Sequence, residues 1–302
     1  MNEKLVSVVI TTYKREQKYV KEALDSVLNQ TYQNIEVILV DDNGMGSEYG
    51  EALKQLCCEN QKVTYLQNEK NSGAQFSRNQ GIMKSKGQYV AFLDDDDIWA
   101  ETKIEKQMAL FTDDSIGMVF CDGYSFEDGD MNKLGAFREV SIFDRPISHE
   151  MELFNDYVGS TSQVLIKKEC FSKVGIFDCD MPARQDYEMW LRISRHYLIV
   201  GVPEPLLFYR VHAGERISKN LKKCFDSYIL LLDKYKNDYK KNKYAKSKLI
   251  LRLFTTSMEM KSTKNTIKYF MYAFITSPKC VIDVIRRKIT KKNFNEFYKD
   301  MI

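Results

Sequence analysis

The sequence has little of several features that define common protein classes. Three His among 302 residues are too few for a histidine-rich zinc site. The seven Cys are odd in number and show no paired C-x-x-C spacing, so we expect reduced thiols rather than a disulfide framework. No apolar run is long enough to cross a bilayer, and MNEK leads directly into a predicted strand instead of a signal peptide. We therefore expect a cytoplasmic protein.

The net charge of +3 is unevenly distributed along the chain. Residues 216–302 carry 22 Lys and Arg against seven Asp and Glu, whereas residues 1–215 carry 23 against 35. This split predicts an acidic, enzyme-like domain over 1–215 and a basic helical region over 216–302. The basic region either packs as a helical bundle or contacts another subunit of a homo-oligomer, or it docks peripherally on the anionic inner face of the cell membrane. No nucleic-acid recognition motif accompanies the charge, so we expect no nucleic-acid partner.

The stretch GQYVAFLDDDDIW, residues 87–99, combines a short apolar run with four consecutive carboxylates. The run Tyr89–Leu93 is typical of a strand buried on both faces. Asp94, Asp95, Asp96 and Asp97 follow it at once, and four like charges repel one another unless something compensates them. Either the four form a solvated acidic turn or they hold a divalent cation. Because open α/β sheets bind ligands at the carboxyl ends of their strands, we favour Mg²⁺ or Mn²⁺, which prefer carboxylate oxygens.

Strands and helices alternate in the N-terminal half. The apolar patterns predict strands at Leu5–Thr12, Ile35–Val40, Val63–Gln67 and Tyr89–Leu93, separated by helices at Tyr19–Leu28, Glu48–Cys58 and Asn71–Ser85. This alternation predicts an α/β fold with a mostly parallel sheet and right-handed crossovers. In such a sheet Thr11, Asp42 and Asp94–Asp97 meet at one edge.

The second half is less regular. It predicts strands at Gly117–Tyr124 and Ser160–Ile166, a helix at Asp186–His196, and two extended segments around Pro203 and Pro205. We expect Ser125–Tyr157 to be an irregular surface excursion or acceptor-side loop. The glycine-rich dinucleotide fingerprint and the Walker lysine loop are both missing after the first strand, which disfavours a nicotinamide cofactor.

Seven motifs resemble those of inverting family-2 glycosyltransferases of the GT-A fold. They are VSVVITTYKR (6–15), ILVDDNG (38–44), NSGAQFSRNQG (71–81), YVAFLDDDDIW (89–99), KVGIFD (173–178), QDYEMWLRIS (185–194) and YRVH (209–212). Each is weak alone, but their order and spacing together are specific, and they extend over about the first 212 residues. The resemblance implies a Rossmann-like catalytic domain that uses a nucleotide-sugar donor and Mn²⁺ or Mg²⁺.

The resemblance assigns the nucleoside end of the donor to the first two strands. Asp42 matches the aspartate that reads the base, where it can accept the imino proton of a uracil; the alternative is a helix N-cap, which Asp favours. Thr11 and Tyr13 match positions that line the nucleoside pocket, and Tyr13 can stack on the base unless it is a core aromatic. Gly73 matches a point of close backbone approach. Arg78 matches a position near the base or the diphosphate, with an ion pair to the acidic run as the alternative.

The acidic run resembles the family's DxD metal motif. The best register places Asp96 on the metal and leaves Asp94 or Asp95 to contact the ribose hydroxyls. His212 matches a position where some relatives supply a metal-ligating or phosphate-contacting histidine; a lone His is more often structural. Arg210 is a further candidate for contacting the diphosphate.

Asp186 matches the catalytic base of the family. An acceptor hydroxyl must lose its proton as it attacks the sugar, and a carboxylate within reach is the natural acceptor of that proton. The alternative is again a helix N-cap. Many relatives have Glu before this Asp, and here the residue is Gln185.

The sequence therefore predicts a metal-dependent hexosyl- or N-acetylhexosaminyl-transferase. It would move a sugar from a UDP-sugar to a hydroxyl of a glycan or lipid-linked glycan in bacterial surface polysaccharide biosynthesis, from the inner face of the membrane. One alternative is a nucleotidyltransferase, which needs a glycine-rich basic loop that TTYKREQ lacks. The other is a non-catalytic sugar-nucleotide-binding protein of the same fold.

Overall fold

A computed structural model describes residues 3–128, 130–137, 144–211 and 220–290. Its N-terminal part alternates strands and helices. The elements are β1 (Val6–Thr12), α1 (Gln17–Leu28), β2 (Ile35–Asp41), α2 (Gly50–Cys58), β3 (Val63–Gln67), α3 (Ala74–Lys84), β4 (Tyr89–Asp94), β5 (Ile98–Trp99) and α4 (Lys103–Met108). The strands and crossover helices predicted for this half are confirmed.

The second part completes the sheet. Its elements are β6 (Ile116–Glu127), β7 (Asp130–Ala136), α5 (His149–Phe154), a 3₁₀ turn (Thr161–Gln163), β8 (Leu165–Lys167), α6 (Lys168–Val174), α7 (Gln185–Ser194) and β9 (Leu198–Val211). Of the described nine strands, β1, β2, β3, β4, β6 and β9 run in one direction, and β5, β7 and β8 run in the other. The predicted α/β class with a mostly parallel sheet is confirmed.

Two predictions for the second half were wrong in detail, and a third was incomplete. The segment Ser125–Tyr157 is not irregular throughout, because β6 continues to Glu127, β7 pairs with it, and α5 follows. The predicted strand Ser160–Ile166 divides into the 3₁₀ turn and β8. The two segments around Pro203 and Pro205 form one strand, β9, which pairs with β6 and absorbs the prolines at a register shift.

The register of the parallel strands positions their polar ends. Val6, Val8, Val9 and Ile10 of β1 are buried, as a β-branched run covered on both faces should be. Along this strand Thr12 pairs with Asp41 of β2, and Thr11 pairs with Asp94 of β4. The polar residues that end the three strands therefore lie side by side at one edge of the sheet.

Five helices follow the sheet: α8 (Leu221–Lys234), α9 (Lys236–Lys241), α10 (Lys243–Glu259), α11 (Thr263–Thr276) and α12 (Pro278–Thr290). They share a hydrophobic cluster with α5 and α7, in which Leu231 and Ile250 pack with Leu153, Tyr187 and Leu191. The C-terminal helices thus support α7, the helix that carries Asp186. Within the described segments, no helix combines the length and apolar character that crossing a bilayer requires.

Candidate active site

A cleft of about 1310 Å³ opens at the edge where β1, β2 and β4 end. Nine of the predicted site residues line it: Thr11, Tyr13, Asp42, Gly73, Arg78, Asp94, Asp95, Asp96 and Asp186. Arg210, the further candidate, is not part of the lining. His212 lies outside the described residues. Residues that are distant in sequence therefore share one cavity, which is large enough for a drug-sized ligand and more.

The four carboxylates of the acidic run lie in different environments. Arg15 makes ion pairs with Asp95 at 2.9 Å and Asp96 at 2.8 Å, and Arg78 makes one with Asp94 at 2.6 Å. Asp97 is fully buried and accepts a hydrogen bond from the backbone N–H of Arg210 at 3.2 Å. Two arginines thus offset the repulsion within the run, and Asp97 stabilises the loop from behind.

Burial raises the pKa of Asp95 to about 7, and the nearby Asp96 carboxylate adds to this effect, although the Arg15 guanidinium opposes both. Asp95 is buried, whereas Asp94 and Asp96 are half-buried and face the cleft. Desolvation penalises a charged carboxylate, so the two more exposed members are better placed to bind a cation from the cleft.

Asp42 is buried, and its carboxylate accepts three hydrogen bonds. Oδ1 accepts from the Asn68 side chain at 2.7 Å and the backbone N–H of Ser72 at 2.9 Å, and Oδ2 accepts from the backbone N–H of Gly73 at 2.8 Å. Gly73 is the N-cap residue of α3 and has φ 91°, a conformation that favours glycine. Asp42 therefore holds the start of α3 from across the sheet edge.

Arg78 and Tyr13 flank this part of the cleft. The Nε and Nη1 atoms of Arg78 are buried without a hydrogen-bond partner among the described residues, while Nη2 binds Asp94. The alternative considered from the sequence, an ion pair between Arg78 and the acidic run, is therefore present. It leaves the Nε and Nη1 donors of Arg78 without an acceptor among the described residues. Tyr13 is 43% exposed, so it is not a core aromatic.

Asp186 lies in the first turn of α7 and is half-buried in the cleft wall. The N-cap residue of this helix is Arg184, in the left-handed region at φ 57°, so the N-cap alternative for Asp186 was wrong. The Oδ1 atom of Asp186 accepts from the N–H of Tyr187 at 2.8 Å. Burial, and next the negative charge of Asp156, raise the pKa of Asp186 above its ordinary value.

Sequence inspection missed several residues of the cleft. Arg15 was noted only as the end of the first strand motif, although the four consecutive carboxylates of Asp94–Asp97 were a signal that a cation was needed. Asp156 belongs to the segment that was expected to be irregular, and nothing in its local pattern marks it. Arg210 was predicted to contact the diphosphate, but it is buried and does not line the cleft. It donates to the backbone oxygen of Asp96 at 2.8 Å and makes ion pairs with Glu22 and Asp128. It holds the acidic loop.

Comparison with known proteins identifies the family. The family model described as glycosyl transferase family 2 matches residues 7–175, which include the ends of β1, β2 and β4. The chain belongs to this family. It is a glycosyltransferase.

Curated relatives agree with this assignment. An uncharacterized glycosyltransferase of Methanocaldococcus jannaschii is 30% identical over 78% of this chain and 81% of its own length. The putative teichuronic acid biosynthesis glycosyltransferase TuaG of Bacillus subtilis is 30% identical over 72% of this chain and 82% of its own. Other relatives are longer, since the match covers only 37% of a glycosyltransferase of Rickettsia felis, which is 31% identical over 73% of this chain.

Solved structures show the same fold. S. aureus TarS in complex with UDP-GlcNAc superposes with a TM-score of 0.65 at 15% identity, over 92% of this chain and 83% of that one. The mannosyltransferase PcManGT of Pyrobaculum calidifontis, in complex with GDP-Man and Mn²⁺, superposes with a TM-score of 0.63 at 15% identity, over 97% and 82%. The GT-A fold expected from the sequence motifs is confirmed.

Proposed function

We propose that this glycosyltransferase is metal-dependent and inverting, and that it transfers a hexose or N-acetylhexosamine from a UDP-sugar to a glycan hydroxyl. The acceptor is a glycan or lipid-linked glycan of a bacterial surface polysaccharide pathway. One observation carries the proposal: Asp42, the acidic run and Asp186 line a single cleft. The names of TuaG and of the UDP-GlcNAc complex of TarS favour this pathway and donor class.

The donor binds along the edge where β1, β2 and β4 end. Asp42 Oδ2 accepts one backbone N–H and retains a lone pair for the imino group of uracil. Tyr13, exposed beside it, is available to stack on the base. The buried, unsatisfied Nε and Nη1 donors of Arg78 are suited to a phosphate oxygen, because guanidinium and phosphate form charge-assisted hydrogen bonds. Thr11 and Gly73 complete this part of the lining.

The residues of the acidic run fit a divalent cation. Asp96 would hold it, with Asp94 or Asp95 on the ribose hydroxyls, and Arg15 already places a positive charge 2.8 Å from Asp96 in this structure. No group of three or more His, Cys, Asp and Glu side chains in the described segments is arranged to hold a metal alone. Mg²⁺ and Mn²⁺ are usually held by one or two carboxylates together with substrate phosphates, which Asp96 and the diphosphate of the donor would supply. Bound there, the ion would neutralise charge on the departing diphosphate.

Asp186 is the proposed general base. Its carboxylate takes the proton of the acceptor hydroxyl as the hydroxyl oxygen attacks the anomeric carbon. The bond to the diphosphate breaks from the opposite face, and the nucleoside diphosphate leaves with the electron pair. The raised pKa of Asp186 suits the role of general base, since a base with a pKa closer to the working pH takes up the proton more effectively.

The basic C-terminal region is proposed as a peripheral membrane contact. α11 contains no Asp or Glu, and the exposed apolar side chains of α11 and α12 are Ile267, Met271, Tyr272, Phe274, Ile275, Ile282, Ile285 and Ile289. Apolar groups interleaved with Lys and Arg complement an anionic lipid surface. The proposed boundary between the catalytic domain (1–215) and this region (216–302) falls among residues 212–219, outside the described ones.

Donor binding tests the proposal. Calorimetry with UDP-GlcNAc, UDP-glucose, UDP-galactose and GDP-mannose, each with and without Mn²⁺, is expected to show Mn²⁺-dependent binding of at least one UDP-sugar and weaker binding of GDP-mannose. Transfer of the sugar, rather than formation of a nucleotide sugar with release of pyrophosphate, separates the proposal from a nucleotidyltransferase. A UDP-sugar that binds but is neither transferred nor hydrolysed would favour the non-catalytic alternative.

A further inference from the structure

One wall of the cleft carries only positive charge. The helices α8, α10 and α12 contribute five cations to its lining, Lys223, Lys248, Arg252, Arg287 and Lys288, which we call the basic wall. Among the described residues, these helices contribute no Asp or Glu to the cleft, and all of its carboxylates come from residues 16–186. The cleft is therefore divided by charge.

The basic wall adjoins the side of the cleft that holds the proposed base. Arg252 Nη2 donates to Asn155 Oδ1 at 3.2 Å, and Lys248 Nζ lies 5.3 Å from the ring centroid of Phe154. The next residue, Asp156, is the one whose charge acts on Asp186. On the donor side, Arg15 and Arg78 make ion pairs with the acidic run. The basic wall thus lines the same cleft as Asp186, on the side where Phe154 and Asn155 lie.

The positive charges of the basic wall repel one another. Lys248 is buried, and its burial, together with the charges of Arg252, Arg287 and Lys288, lowers the pKa of its ammonium group to about 7. The hydrogen-bond partner of Arg252 is a neutral amide. Held together in this way, the cations would be stabilised by an anion in the cleft.

We propose that the basic wall binds an acceptor glycan that carries phosphate or carboxylate groups next to the hydroxyl that receives the sugar. This inference depends on the proposed glycosyl transfer in the same cleft and specifies the chemical class of the acceptor. A neutral glycan can accept hydrogen bonds from these cations but gains no attraction between opposite charges. An acceptor with one anion per repeat unit forms charge-assisted hydrogen bonds with several of them and keeps its hydroxyl beside Asp186.

The test compares charged and neutral oligomers. Calorimetry measures binding of a glycerol-phosphate hexamer, a galacturonate hexamer and neutral maltohexaose to the wild-type chain, each at 50 and 300 mM NaCl. We expect at least one charged hexamer to bind at least tenfold more tightly than maltohexaose, and its affinity to fall at the higher salt. The hexamer that binds identifies phosphate or carboxylate as the anion.

A double variant locates the binding. R252Q/K288Q changes two exposed side chains. We expect it to lower the affinity for the charged hexamer at least tenfold, while the affinity for UDP with Mn²⁺ stays within twofold of the wild type. K264Q/K268Q, on α11 and outside the cleft lining, is the matched control and should change neither affinity.

Different failures separate the two proposals. The acceptor inference would be overturned if maltohexaose bound as tightly as both charged hexamers. It would also be overturned if R252Q/K288Q lost affinity for UDP instead of for the hexamer, because the basic wall would then bind the donor diphosphate. If neither charged hexamer binds the wild type while UDP binds normally with Mn²⁺, the acceptor inference alone is wrong. If UDP itself does not bind the wild type, the donor assignment is wrong.

Discussion

Asp156 lies close enough to Asp186 in the cleft for its negative charge to raise the pKa of the Asp186 carboxyl, in addition to the effect of burial. Neither residue's local sequence reveals this relationship, because Asp156 follows α5 and Asp186 lies in the first turn of α7, far along the chain. The pH at which activity is lost through protonation of Asp186 therefore depends on the charge of Asp156 as well as on burial.

A pH profile of the Asp156→Asn variant tests this coupling. A base must be deprotonated, so activity falls as the pH drops through the raised pKa of Asp186. Removing the Asp156 charge lowers that pKa, and the acid limb of kcat/KM is expected to move to lower pH. The exposed Asp233→Asn variant is the control and should leave the limb in place. An acid limb that stays in place in Asp156→Asn would mean that the two carboxylates do not interact.

The base assignment is tested by Asp186→Asn. The amide keeps the size of the side chain and cannot take up the proton, so transfer is expected to fall by about 10²–10⁴-fold. UDP binding with Mn²⁺ should remain within twofold, as measured by calorimetry, because Asp186 is not assigned a donor contact. Transfer at the wild-type rate in Asp186→Asn would refute the assignment.

Metal binding is tested by Asp96→Ala. We expect the variant to lose the part of UDP affinity that depends on Mn²⁺, because the carboxylate proposed to hold the ion is gone. Titrations with and without Mn²⁺ should then coincide. Asp113→Ala, which removes an exposed carboxylate outside the cleft lining, serves as the control and should retain the difference. Equal enhancement by Mn²⁺ in Asp96→Ala and in the wild type would exclude Asp96 as the ligand.

The structural role of Asp42 predicts a loss of stability. Asp42→Ala leaves the Asn68 amide and the N–H groups of Ser72 and Gly73 without their acceptor, and we expect the free energy of unfolding to fall by about 2 kcal/mol. Asp25→Ala breaks the exposed pair with Lys21 and should leave the free energy of unfolding close to that of the wild type, because solvent screens such pairs. Urea unfolding measures both. A similar small loss in the two variants would show that the hydrogen bonds of Asp42 add little stability.

Membrane docking is tested by vesicle pelleting. The double variant I267E/I275E places charge on the exposed apolar face of α11 and is expected to reduce pelleting with phosphatidylserine-containing vesicles at least tenfold. Ile176→Glu, an exposed apolar residue between α6 and α7, is the control and should pellet as the wild type does. If the wild type does not pellet but elutes as a dimer that I267E/I275E converts to a monomer, the face is a subunit contact instead.

Much of the N-terminal half follows from local pattern alone. The β-branched run of β1 and the apolar run before Asp94 mark buried strands, and the helical spacing between them marks crossovers. Since parallel strands end at one edge, the convergence of Asp42 with the acidic run was predictable. The local sequence pattern did not predict the structure between β6 and α5. The hairpin of β6 and β7 there has mixed polarity, and β6 also pairs with strands far along the chain.

The sequence by itself determined the fold class, the family motifs and the residues of the donor edge, because periodicity and strand-end chemistry are local properties. Only the tertiary structure decided which charges meet. Arg15 is 81 residues from Asp96 and still lies 2.8 Å away, and helices predicted as a separate basic region supply a wall of the same cleft. Electrostatic interaction depends on distance in space, and packing of the C-terminal helices against α5 and α7 brings their cations next to Asp186.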